Sequence, residues 1–446
     1  MCKKIKKIKN IFHFWLAFSL IISMAVLFRT PASKLAIGTF FINLLALGSY
    51  YLVIVLNLDQ KKHSFSKTRL ILIIVLFSVS FLILFKLYFL YSANSLFELS
   101  AKDSLEYDEK ARFIVEKGVI HGLKALLIRT ELADFGAILS VALAYHVYPS
   151  PIAFNLLNII FGVVTALSIY NLLTRLLANN QIAFICALSY ALSSFNVYLY
   201  STGMKETIFV LMVSLFFEKL HKFYHENNLW VLLQSVVFLF SLLLFRPAVF
   251  VLALFSVPMG YIFARKVSIK SLFLLLILLF GALTNLIFFN DILESFAILT
   301  DPKVVEEKQI LSATKFNYFA AFLSSVMGPF PTYHPLVNNE QQSFYSLGLA
   351  FRVLLTGFFV NGLYIGFKRK ETIILTMGFF ILGEMIILAS ILQSFELRLN
   401  SPHLAALYVI AFYGIFLERD TARVKVINLF VVIISTILML FWNARI

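Results

Sequence analysis

The sequence predicts an all-α, polytopic transmembrane protein, and three observations carry that prediction. Hydrophobic residues are 61% of the chain and charged residues 14%, where a soluble domain has roughly half and about a quarter. The apolar residues fall in runs long enough to cross a bilayer. The Lys and Arg residues cluster between alternate runs, as retention in the cytoplasm requires. The 49 Phe and 19 Tyr beside 17 Gly and 10 Pro exclude a collagen-like, low-complexity or disordered chain. Cys2 and Cys186, one at the N-terminus and one inside an apolar run, exclude a disulfide framework and a cysteine-based metal site.

Taken in order, the runs lie at 11–29, 36–57, 70–91, 152–174, 182–200, 206–217, 229–245, 247–264, 271–290, 347–366, 372–392, 402–417 and 426–443. They make thirteen candidate spans in a single integral membrane domain, residues 1–446. The segment 132–148 is apolar enough to be a fourteenth, and the distribution of charge decides against it. With the N-terminus inside and 132–148 non-spanning or re-entrant, the cytoplasmic pieces hold 21 of the 38 Lys and Arg in 59 residues. Counting 132–148 as a span would carry Arg265-Lys266, Lys368-Arg369-Lys370 and Arg423-Lys425 to the outside, against the positive-inside rule. The expected topology therefore has thirteen spans, the N-terminus inside and the C-terminus outside. Lys3, Lys4, Lys6, Lys7 and Lys9 ahead of the first run read as the flank of a signal anchor. The net charge of +15 is accounted for by this topology and by anionic lipid, with no nucleic-acid partner.

Two long outside loops, 92–131 and 291–346, hold 13 of the 23 carboxylates in 96 residues, so chemistry is expected at the outer face. No phosphate-loop, dinucleotide, zinc-protease or nucleophile-elbow pattern occurs, which removes the usual support for nucleotide hydrolysis and zinc proteolysis. In the first loop Asp103, Tyr107 and Ala111 recur every four residues and so share one face of a helix. Leu105, Phe113, Ile114 and Val115 suit that helix to the membrane surface, and Gly118 is a natural C-terminal stop.

The pattern Asp103-x3-Tyr107-x3-Ala111-x6-Gly118, at the start of the first outside loop, resembles the polytopic glycosyltransferases of the GT-C class. That class includes the protein O-mannosyltransferases and the aminoarabinose transferases of lipid A. The likeness continues, less specifically, in Tyr148-Pro-Ser-Pro151, Asn155-Leu-Leu-Asn158, Ser201-Thr-Gly-Met-Lys205-Glu206, Arg246-Pro247 and Glu396-Leu-Arg398-Leu-Asn-Ser-Pro402-His403, over roughly 90–415. The resemblance implies a GT-C-like fold and transfer of a sugar from a polyprenyl-phosphate or polyprenyl-diphosphate carrier to a glycan acceptor, with a first-loop carboxylate acting on the acceptor. The chain departs from the class in having two additional spans before the first loop, an acidic pair at Asp108-Glu109 instead of at Asp103, and no sizeable soluble C-terminal domain. The base therefore lies between Asp103 and Asp108, and the register to Tyr107, Ala111 and Gly118 favours Asp103.

A carboxylate within reach of an acceptor hydroxyl can serve as general base, and cations at the membrane edge can hold the departing lipid phosphate. Lys205, Arg246 and Arg398 fall at the outward ends of three helix pairs, and Tyr107, Glu396 and His334 are the candidates for substrate contact. Each also has a plain structural reading. Asp103 suits a solvated surface helix, Lys205-Glu206 a self-satisfied ion pair, Arg246 a snorkelling turn residue, Arg398 with Glu396 a surface pair, and His334 polar loop surface. Glu384, in the middle of 372–392, needs a partner there, and Arg352 is the nearest basic candidate in a neighbouring run. No metal-ligand cluster demands an ion, although a divalent cation near Asp103 is compatible with the resemblance.

The Phe, Ile and Lys usage suits a low-GC bacterium, so the expected location is the cytoplasmic (inner) membrane and the expected pathway is O-antigen or capsule assembly. Transfer of one sugar and polymerisation of diphosphate-linked repeat units look alike at this level. A polysaccharide-lipid transporter or flippase is the reading from another class. It would show midplane charges and paired repeats, of which only Glu384 is visible.

Overall fold

The computed structural model describes residues 2–29, 34–58, 65–98, 102–118, 120–122, 124, 132–265, 326–328, 341–390, 398–417 and 422–444. Among these every regular element is helical. Helices α1 (Cys2–Arg29), α2 (Lys34–Leu58) and α3 (Lys67–Ala93) lead to α4 (Lys102–Lys117) and α5 (Leu132–Val147). Then come α6 (Pro151–Leu177), α7 (Asn180–Ala191), α8 (Ser194–Tyr200), α9 (Glu206–Glu226), α10 (Leu229–Ser241) and α11 (Pro247–Arg265). The C-terminal part holds α12 (Gln341–Leu354), α13 (Thr356–Arg369), α14 (Thr372–Ser390), α15 (Ser401–Leu417) and α16 (Ala422–Ala444).

The helix boundaries have local causes. Ser66 accepts the N–H of Arg69 at the start of α3, Asn179 that of Ile182 at α7 and Asn228 that of Trp230 at α10, satisfying donors that a helix leaves open. Helix α6 opens on Ser150 and Pro151, a cap followed by the residue best suited to the first helical position. Asn94 and Asn227 end α3 and α9 in the left-handed region, and Gly118, with φ of +81°, follows α4.

What fills the space between helices is apolar, and so is much of what faces outward. On α3, Leu70, Ile74, Phe81, Phe85 and Phe89 are buried, while Leu72, Leu76, Ile83 and Leu87 are more than half exposed. A helix apolar on both faces needs lipid on the outer one. Among the described residues five helices are long and apolar enough to cross a bilayer: Phe41–Leu58, Lys67–Ala93, Pro151–Leu177, Pro247–Ala264 and Thr372–Ala389. Two bent pairs, α7 with α8 at 58° and α12 with α13 at 46°, raise the number to seven if each is one span. Four shorter apolar helices accompany them among the described residues. The chain is thus a membrane-embedded helical protein. The run at 271–290 and most of the loop at 291–346 lie outside the described residues.

The runs 182–200 and 347–366, expected as continuous, are the two bent pairs. At the first break the Asn196 side-chain amide donates to the Tyr190 carbonyl at 2.7 Å and to Ser193 Oγ at 3.1 Å, replacing part of what the backbone gives up. The two pairs touch where Ser194 Oγ accepts the N–H of Gly348 at 2.6 Å. Helices α13 and α15 meet backbone to backbone: a Cβ on Gly414 would fall 2.3 Å from the Phe358 carbonyl oxygen and 2.8 Å from the Gly362 nitrogen, the small-residue contact typical of membrane helices.

Glu384 does find a partner, and it differs from the expected one. His403 Nδ1 of α15 lies 3.0 Å from Glu384 Oε2 of α14, both side chains buried. Arg352, on α12, instead donates to the Val326 carbonyl at 3.2 Å.

The first-loop helix α4 and the short helix α5 form a layer of their own. Tyr107, Ala111 and Ile114 of α4 pack against Ala137, Ile138, Val141 and Tyr145 of α5 and Phe154 of α6, in a cluster separate from the main core. Helix α5, at 16 residues, is too short for the roughly 20 that a span needs.

Candidate functional site

The layer made by α4 and α5 is held against the main bundle by a buried carboxylate. Glu98, 3% exposed, accepts the hydroxyl of Ser104 and the backbone N–H of Gly203, the latter at 3.3 Å. Burial raises its carboxyl above the usual range, an effect that Ser104 partly offsets. The approach is close because residue 203 has no side chain: a Cβ there would sit 2.5 Å from Ser104 Cβ. The turn that carries Gly203 is fixed in turn by α6. The side-chain amides of Asn155 and Asn158 donate to the Thr202 carbonyl at 2.7 and 3.2 Å. Sequence segments more than 40 residues apart thereby meet at one hairpin.

Between these elements lies a cavity of about 220 Å³ lined by Asp103, Glu106, Tyr107, Asp134, Met204, Lys205, Glu206, Arg246 and Leu399. Asp103 stands in the first turn of α4, where the helix dipole favours negative charge. Tyr107 follows one turn later and donates to Asp134 Oδ1 at 2.8 Å. Lys205, immediately before α9, donates to the same oxygen at 2.5 Å and to the Phe245 carbonyl at 3.1 Å. Burial tends to raise the Asp134 carboxyl, but the Lys205 charge and the hydrogen bonds from Lys205 and Tyr107 hold it below the usual carboxylate range. Burial, reinforced by Asp134, pushes the Tyr107 phenol well above its ordinary value, so it stays a donor.

Arg246 places its guanidinium 5.4 Å from the centre of the Phe209 ring, within cation–π range. No ion pair joins it to a carboxylate among the described residues. Glu206, in the first turn of α9, is buried, and its Oε2 has no hydrogen-bond partner among the described residues. The pair Lys205–Glu206 suggested by adjacency therefore does not form: the Lys205 side chain reaches across to Asp134 instead.

The structure brings together Asp103, Tyr107, Lys205 and Arg246. Asp108 faces elsewhere, held by Arg112 at 2.9 Å one turn along α4 and by the Tyr145 hydroxyl. Arg398 begins a short 3-10 turn, Arg398–Asn400, whose Leu399 reaches the cavity; its own side chain, with Glu396 and His334, lies outside the described residues. Two contributors were missed, Asp134 and Glu98, while Glu206 enters the sequence reading only as a neighbour for Lys205. Asp134 was the more legible, as a lone carboxylate heading an apolar stretch. The carboxylates of the cavity do not converge as a three-ligand set among the described residues; the one such group lies elsewhere.

Comparison with protein-family models, with curated proteins and with solved structures finds no match to this chain.

Proposed function

We propose that the chain is an integral membrane glycosyltransferase of the GT-C type, with thirteen spans, a cytoplasmic N-terminus and its cavity at the outer face of a bacterial inner membrane. The observation that carries the reading is the meeting of a carboxylate, Asp103, with two cations, Lys205 and Arg246, on the walls of one cavity. The substrate is a sugar on polyprenyl phosphate or diphosphate, and the acceptor a surface glycan, O-antigen or capsule.

Asp103 takes the proton of the acceptor hydroxyl as its oxygen attacks the anomeric carbon. The bond from that carbon to the phosphate oxygen breaks, and its electron pair leaves with the lipid phosphate. Arg246 and Lys205, with Arg398 from the 3-10 turn, stabilise the growing negative charge. Tyr107 holds Asp134, and through it Lys205, in place; Glu396 and His334 contact substrate. Asp108, already committed to Arg112 and Tyr145, steadies α4. A repeat-unit polymerase would use the same parts with a diphosphate-linked oligosaccharide.

A second reading, a lipid-linked polysaccharide transporter, is favoured by the two bent helix pairs, since broken helices are common at transport sites. Surface polysaccharide run on a gel separates these readings. A strain lacking the gene is complemented with the native chain or with Asp103→Asn, at matched protein levels in the membrane. The transferase reading expects Asp103→Asn to behave as the deletion, with activity down by about 100-fold or more. A ladder collapsed to one capped repeat marks the polymerase, and an altered repeat marks the single-sugar transferase. A native ladder with Asp103→Asn would end the base assignment and support the transporter.

A further inference from the structure

At the far end of α9 from the cavity, His221 and His225 are one turn apart and therefore share a face. Their rings lie 4.5 Å apart at 84°. Opposite them is Glu371, in the link between α13 and α14, where its backbone N–H is fixed to the Gly366 carbonyl at 2.9 Å. One potential ligand atom from each of the three residues lies within 4.8 Å of the other two. His221 is 1% exposed, and its Nε2 is buried without a hydrogen-bond partner among the described residues. A buried polar nitrogen left unpaired is uncommon in folded proteins and calls for a specific cause.

We propose that His221, His225 and Glu371 bind a divalent transition ion of the Zn²⁺ class, clasping the end of α9 to the link between α13 and α14. Two imidazoles and one carboxylate match the preference of Zn²⁺, Co²⁺ or Ni²⁺, whereas Mg²⁺ and Ca²⁺ take oxygen ligands. Three protein ligands leave a fourth, tetrahedral position for water. Bonds of about 2.1 Å at tetrahedral angles put ligand atoms roughly 3.4 Å apart, so groups that stand within 4.8 Å of one another must draw in by up to about 1.4 Å. His225 is exposed and Glu371 half-buried, which leaves both side chains room to do so. Two nearby cations oppose an ion: Arg175, beside His221, is paired with Glu218 at 3.5 Å, and Arg369 stands two residues before Glu371. The cluster sits some 22 Å or more along the helix from Glu206, at 1.5 Å per residue, and so is independent of the cavity and of the transferase reading.

The test uses the full chain, free of any histidine tag, purified in detergent and stripped with a chelator. Titration with Co²⁺ is expected to develop the visible bands of tetrahedral coordination, saturating at one ion per chain and reversed by Zn²⁺. Because partners that merely support metal ligands are worth about 10- to 100-fold in affinity, losing a ligand should cost at least tenfold. His225→Gln and Glu371→Gln are therefore each expected to weaken binding by about tenfold or more, and His146→Gln, on α5, to leave it unchanged. Zn²⁺ should raise the melting temperature of the native chain and leave that of the double variant His225→Gln/Glu371→Gln unmoved. His221→Ala removes a buried ring, so the two more accessible ligands carry the test, each checked by size-exclusion profile. Equal binding by the native chain and the double variant would overturn the site and leave the three residues as packing.

Discussion

At one end of α9, Lys205 reaches Asp134 and the Phe245 carbonyl within hydrogen-bonding distance; at the other, His221 is buried with a ring nitrogen that bonds to nothing described. The difference follows from the groups themselves. An ammonium carries its charge at any physiological pH, and burying it beside lipid is costly unless an opposite charge stands by. An imidazole enters the same kind of environment as a neutral group, and its lone pair is then held for a ligand. At the Lys205 end, the fixed charge is balanced within the protein by Asp134 and only part of its capacity is left for substrate. In the histidine cluster the donors are assembled and the balancing charge is supplied from outside.

The sharpest way to break that contrast is Lys205→Met. Removing the cation leaves Asp134 without its counter-charge and the lipid phosphate without one of its donors, and sugar transfer should fall by about 100-fold or more. Transfer measured on membranes with a polyprenyl-linked donor checks this, and near-native activity would show that Lys205 is purely structural. Next in size is Gly203→Ala. Its new Cβ meets Ser104 at 2.5 Å, and relieving such overpacking costs about 1–3 kcal/mol, read as a lower melting temperature together with reduced transfer. Tyr145→Phe removes the hydroxyl that Asp108 accepts. It should lower stability by about 1 kcal/mol and leave transfer within a few-fold of native, since Asp108 lies off the cavity.

The smallest effect concerns pH. Asp134 is held below its ordinary value, so its pairing stabilises the folded chain above the unfolded carboxyl pKa of about 3.9 and is lost as pH falls through the lower folded value. Melting curves of the native chain and Asp134→Asn should therefore differ at neutral pH and converge in acid. A gap that persists unchanged to low pH would remove Asp134 from the electrostatic balance.

Much of this was legible from the residues. The helical class and the membrane followed from composition, and the face shared by Asp103, Tyr107 and Ala111 followed from a spacing of four. Less legible was which helices break. The run 182–200 is apolar enough to read as continuous, and only the structure shows that it bends, with the side-chain bonds of Asn196 at the break. Pairings across the fold were harder still. The sequence offers Glu206 as the structural alternative partner of Lys205, and Arg352 as that of Glu384, because adjacency and charge are visible in a string and the direction of a side chain is not. The partners turned out to be Asp134, 71 positions away, and His403, which carries no formal charge in a count of Lys, Arg, Asp and Glu. His221 and His225 were passed over because Glu371, which gives them meaning, is remote in the chain.

The contact between Ser104 and Gly203 has a consequence for relatives of this chain. Position 203 has no room for a methyl group while position 104 carries a side chain, and position 104 cannot lose its hydroxyl without leaving buried Glu98 only the Gly203 N–H as a hydrogen-bond donor among the bonds described. Positions 98, 104 and 203 are thus bound to one another as a set, and substitutions there are expected to arise together or not at all. A lineage that exchanges Gly203 for a larger residue should show a smaller residue at 104 and a neutral one at 98, and that signature would identify the first-loop helix as displaced.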